Sequence, residues 1–143
     1  MSELKNAHGS LLNFVSSLAE QFSIEAVNLD AIADEVDLPT TDFIGLDSFS
    51  MASGNDSRPL ATVAGMITLG IRNDTNNMRL MDFLDKVYSC LQPENGLPFF
   101  CLDTGQQLGD MKLMGTTRVM PVTRLQTLAM QSITFQAALQ YVE

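Results

Sequence analysis

The sequence is short of the residues that do chemistry. It contains one histidine, His8, two cysteines, Cys90 and Cys101, and no tryptophan in 143 residues. A Ser-His-Asp or Cys-His relay would have to use His8. That residue falls in an N-terminal stretch expected to fray, so nucleophilic catalysis is not expected. One histidine with two separated cysteines is a poor basis for a tetrahedral zinc site. No GxSxG elbow, HExxH, paired CxxC, Walker-type loop or strand-following GxGxxG occurs. Gly105 and Gly109 have GxxxG spacing, but in a polar, turn-like segment where membrane-helix packing does not apply. The expectation is a non-enzymatic protein with no metal and no cofactor.

Basic residues are scarce as well. Eight Lys and Arg stand against 17 Asp and Glu, a formal net charge of -9. Gripping phosphates requires clustered Lys and Arg, and no such cluster is present. An acidic surface can still border nucleic acid by repelling it. No apolar run approaches the ~20 residues of a membrane-spanning helix. The opening MSELKNAHGS lacks a basic region followed by an apolar core, so no secretory signal is expected. With two cysteines only, a reducing compartment and two free thiols are the simplest expectation.

What is present is a globular composition, 45% hydrophobic. The length is that of one domain, long enough to bury about two-thirds of its unfolded surface without a staple. Residues 2–22 read as a helix, with Leu4, Leu11, Val15, Leu18 and Phe22 as its apolar stripe and Gly9 weakening the first turns. Leu29, Ile32, Ala33 and Val36 fit a short helix over 29–37, with Asp30, Asp34, Glu35 and Asp37 in water and Pro39 closing it. Residues 41–50 look extended, with Phe43 and Phe49 on one side and Ile44 and Leu46 on the other. Residues 51–59 are turn-rich and read as a long hairpin loop.

Residues 60–72 make the clearest strand. Ala61, Val63, Ile67, Leu69 and Ile71 share one face, and Thr62, Ala64, Met66 and Thr68 the other. Residues 73–77 offer several helix caps, and Leu80, Leu84, Val87 and Leu91 form the stripe of the helix that follows. Residues 97–102 suit a short buried strand, 103–110 a second loop, and 112–126 and 128–142 two long extended stretches. In the last, Ala129, Ile133, Phe135, Ala137 and Leu139 alternate with Met130, Ser132, Thr134 and Gln136. The fold class expected is a single α+β domain, a mostly antiparallel, possibly mixed sheet with two or three helices on one face.

Without a site, assembly is the leading function. Strand edges have to be covered, and a neighbouring subunit can cover them. Exposure and edge logic select Met51, Asn55, Asp56 and Arg58 of the first loop as subunit-interface residues. The same logic selects Gln106, Gln107 and Asp110 of the second loop, and Gln136, Gln140 and Tyr141 of the last strand. Two other classes compete. One is an adaptor or assembly chaperone that binds proteins through a sheet edge or its methionines. The other is an enzyme or small-ligand binder that pairs Asp103 with Asp110 across the second loop.

The order of elements resembles that of the tail terminator (tail completion) proteins of long-tailed bacteriophages and related tail-to-head joining proteins. A helix comes first. A strand then runs straight into a capped helix, here ATVAGMITLGIRNDTNNMRLMDFLDKVYSCL at 61–91. A final pair of long strands follows, here GTTRVMPVTRLQTLAMQSITFQAALQYV at 115–142. The pattern spans residues 1–142, with the helix at 29–37 as a departure. The resemblance implies a virion protein whose subunits form a homo-oligomeric, hexameric ring on the last tail-tube ring. That ring stops tube growth and meets the head–tail connector or neck protein, while DNA passes without specific binding and no membrane is involved. An acidic ring would let DNA slide, and Asp56, Asp103 and Asp110 are the candidates to face such a lumen.

Overall fold

The computed structural model describes residues 3–32, 34, 37–54 and 60–141. Helix α1, Glu3–Phe22, buries Ala7, Leu11, Val15, Leu18 and Phe22. These recur at helical spacing and form one stripe against the sheet. Leu4 stays exposed and lies off it. The helix does not weaken at Gly9, because Leu102 lies over that glycine and fills the space a Cβ would occupy. Asn6 and Ser10 are buried polar residues with a purpose: their side-chain oxygens accept the backbone N–H groups of Leu102 and Phe100 at 3.1 and 2.9 Å. Paired in this way, they carry no desolvation penalty for an unmet hydrogen bond.

After α1 the chain forms β1, Glu25–Asn28, then one 3-10 turn at Leu29–Ala31. The helix expected over 29–37 is therefore replaced in its described part by a single turn; Ala33, Glu35 and Val36 lie outside the described residues. Strand β2, Phe43–Ala52, runs parallel to β1 and antiparallel to β3, Thr62–Arg72. Helix α2, Met78–Cys90, follows β3 directly. The buried carboxylate of Asp74 accepts the N–H groups of Leu80 at 2.9 Å and Arg79 at 3.4 Å. It thus does the work of an N-cap from outside the usual position. Strands β4, Gly96–Phe100, β5, Gln107–Val119, β6, Thr123–Leu125, and β7, Leu128–Tyr141, complete the fold.

The sheet has seven strands in the order β1-β2-β3-β7-β5-β4, with β6 also pairing β7. All pairings but β1–β2 are antiparallel. The result is the single mixed-sheet α+β domain expected, with two α-helices among the described residues. Val63, Ile67, Leu69 and Ile71 of β3 join Ala129, Ile133, Ala137 and Leu139 of β7 and the inward residues of both helices in one core cluster.

The periodicity fails in β2. A bulge between Asp47 and Ser50, with Ser48 at φ +55°, inserts one residue and reverses the alternation. Phe49 therefore joins Ile44 and Leu46 on the helix side, where its ring meets His8 at 4.7 Å. Phe43 alone faces the other way, lying over Gly70 with its ring 2.3 Å from where a Cβ would be. The carboxylate of Asp30 accepts both Ser48 and Phe49 N–H groups, at 2.8 and 3.1 Å, and holds the bulge in place.

Candidate functional site

The described residues bring no catalytic constellation together. His8 is half-buried against Phe49, and Cys90 and Cys101 are free and half-buried. The Thr104 hydroxyl, followed by backbone N–H groups of the same turn, holds the Cys101 thiol below its ordinary range. Among the described residues no group of three or more His, Cys, Asp and Glu is placed to hold a metal. No helix among them is long and apolar enough to cross a membrane.

Asp103 and Asp110 do not form a pair. Asp103 sits in the turn after β4, with Lys5 of α1 3.8 Å away. Asp110 is not in a loop at all: β5 begins at Gln107, so Gln107 and Asp110 are strand residues. The side-chain amide of Gln107 reaches the Asp110 carboxylate at 3.4 Å, and Asp110 stands opposite Gln140 in the ladder. Gly109 makes this possible. A Cβ there would fall 1.8 Å from the Gln140 carbonyl oxygen, so only glycine lets the start of β5 come this close to β7.

The last strand is also not at an edge. β7 lies between β3 and β5, in the middle of the sheet. Edge logic put Gln136, Gln140 and Tyr141 at a border of the sheet, but the strand that carries them, the longest of those described, is paired on both sides. Tyr141 is accordingly tied into the fold. Its hydroxyl donates to the Glu3 carboxylate at the start of α1, and its ring packs edge-on to Phe99 at 5.5 Å. Burial, then the hydrogen bond and charge of Glu3, push its pKa up from 10.0 to about 12. Met51 is likewise packed against the core rather than presented. Asn55, Asp56 and Arg58 lie outside the described residues. Gln106 is exposed, with its N–H bonded to the Thr104 hydroxyl at 3.2 Å.

Among the described residues β1 and β4 end the main strand path and β6, of three residues, pairs β7 alone, so these outer strands are all short. β1 has four residues and β4 has five. β4 carries Pro98, which has no N–H to offer an added strand. These edges are poor templates for extending the sheet into another subunit.

What remains available is the sheet face away from the helices. Gln136 and Gln140 of β7 are exposed there, with Asp110 and Lys112 beside them on β5 and half-buried Ala64 and Met66 on β3. Ser48, Ala64, Met66, Thr116, Thr134 and Gln136 line a shallow groove of about 460 Å³ on it. Nearer β6, a second hollow of about 400 Å³ is floored by Thr68 and Ser132, whose hydroxyls are 2.6 Å apart, and walled by Leu29, Leu38 and Pro121. Lys112 and Thr116 were not expected here; the alternation of 110, 112 and 114 carried the signal for Lys112 once β5 is begun at Gln107. No protein-family model matches the chain, and no curated protein is detectably similar to it.

Proposed function

We propose that the chain is a structural subunit of a virion, a tail terminator that forms a hexameric ring on the tail tube and joins it to the head or neck. The observation that supports this reading is the order of elements. α1 comes first, β3 leads into α2 through the short turn at 73–77 capped by Asp74, and the two long strands β5 and β7 come last, with β6 between them in the chain.

Charge and edges support it too. A ring of subunits of net charge -9 repels DNA from its walls and lets it pass. Ring closure needs a heterologous contact, one patch of each subunit meeting a different patch of the next. With the outer strands β1, β4 and β6 all short, that contact is made by the helix-free face and the loops rather than by an added strand. Asp103 and Asp110, both exposed, remain candidates for the lumen.

The test is to mix the purified chain with growing tail tubes and image them, with native mass spectrometry alongside. The expected outcome is tubes of arrested length bearing a six-subunit cap. Tubes that grow unchanged, with no bound subunit at their ends, refute the proposal. A monomer in free solution does not, because ring closure can await the tube.

A further inference from the structure

Helix α2 is only half covered. Leu80, Leu84 and Val87 enter the core, but the neighbouring flank is left facing solvent. There, Met81 is 42% exposed and Tyr88 39%, and Val119 at the end of β5 is 40% exposed beside them. Met81, Leu84, Tyr88 and Val119 line a groove of about 420 Å³ whose rim is formed by the carboxylates of Asp82 and Asp85. Met78, more exposed still, extends the apolar stripe by one turn.

We infer that this groove between α2 and the end of β5 docks a segment of a partner protein that combines apolar side chains with lysine or arginine. The apolar half of the argument is the cluster itself. Large apolar side chains gathered at one place on a surface mark an interaction site. Methionine adapts to the shape it meets, and tyrosine is a frequent anchor of interfaces. The charged half is the rim. Neither Asp82 nor Asp85 is ion-paired among the described residues, so both are free to meet a cation.

A second copy of this chain fits the groove poorly. It carries a net charge of -9. Four of its eight basic residues are already engaged inside the fold: Lys5 with Asp103, Arg72 with the Pro39 carbonyl, Arg79 with Asp42, and Arg124 with the Asp74 carbonyl and Asn77. The complementary partner is a different, basic chain. This inference does not rest on the phage reading and applies to any assembly role.

The probe is a synthetic amphipathic Leu-Lys helical peptide, compared with Leu-Glu and Ser-Lys counterparts by fluorescence anisotropy at several salt concentrations. The Leu-Lys peptide is expected to bind, and the other two to bind at least about tenfold more weakly. Met81→Ser with Tyr88→Ser weakens binding about tenfold. Asp82→Asn with Asp85→Asn weakens it by a similar factor and flattens its salt dependence. Asp103→Asn with Asp110→Asn leaves it unchanged. Amide shifts in the unaltered protein, which need no variant to fold, move in α2 and at Val119. Equal binding of the Ser-Lys peptide, equal loss in the Asp103, Asp110 control, or shifts elsewhere overturn the inference. So does self-association that disappears in the Met81, Tyr88 variant, which would assign the groove to a second copy.

Discussion

The two faces of the central strands differ more than their sequences suggest. On β3, Val63, Ile67, Leu69 and Ile71 are sealed under the helices, while Ala64, Met66 and Arg72 on the other face are half-buried. On β7, Ile133 and Ala137 are sealed, while Ser132, Thr134 and Gln136 are not. One face is sealed along its length, whereas the other buries Phe43 and Thr68 but leaves Gln136 and Gln140 exposed. The sharpest way to break this comparison is to truncate adjacent residues. Ile67→Ala opens a cavity between the sheet and the helices and should cost about 3–4 kcal/mol. Met66→Ala, one residue away, should cost about 1 kcal/mol or less. Urea denaturation of both variants checks this, and similar losses would mean that the helix-free face is as structural as the covered one.

Two glycines sharpen the same contrast. Gly109 has the backbone of Gln140 where a side chain would go, 1.8 Å from the built Cβ. Gly109→Ala must therefore push β5 off β7 and should cost about 2–3 kcal/mol. Gly65 in β3 has its nearest neighbour at 3.5 Å, an ordinary contact. Gly65→Ala should stay within about 0.5 kcal/mol of the parent, because a strand gains rather than loses by the exchange. The same denaturation series separates them. It also tests whether close strand approach, rather than glycine as such, governs this end of the sheet.

These particulars mark how far the chain could be read in advance. α1, β3, α2 and β7 were legible because each shows its own period over many residues. The bulge in β2 was not, because it depends on Asp30 accepting N–H groups from Ser48 and Phe49, far along the chain. For the same reason 29–37 read as a helix: the spacing of Leu29, Ile32, Ala33 and Val36 suits one, and nothing local announces that β1 pairs with β2 in parallel. Of the residues expected to make subunit contacts, Gln107, Asp110, Gln136 and Gln140 lie along the neighbouring strands β5 and β7. Tyr141 and Met51 instead pack inward, against Phe99 and the core, because strand order and core packing are decided by partners distant in sequence. Asp30→Ala tests the bulge directly. It removes two hydrogen bonds at a largely exposed carboxylate and should cost about 1 kcal/mol. Hydrogen exchange at Ser48 and Phe49 should accelerate while exchange in β3 stays protected. Uniform acceleration would show that Asp30 supports the whole sheet.

The smallest effect compares two ends of the same molecule, the start of α1 and the end of β7, joined by Glu3 and Tyr141. The Tyr141 pKa is raised from 10.0 to about 12 in the folded protein. The folded state therefore holds this proton more tightly than the unfolded state does. The associated stability is fully present below pH 10 and is lost as pH rises towards 12. Tyr141 is 44% exposed, so solvent screening leaves the hydrogen bond worth only about 0.5 kcal/mol at neutral pH. Tyr141→Phe keeps the ring against Phe99 and removes the proton. Its stability should lie slightly below that of the parent at pH 8, and the difference should shrink or reverse between pH 10 and 12. A constant difference across that range would show that the ring contact, and not the bond to Glu3, ties the end of β7 to α1.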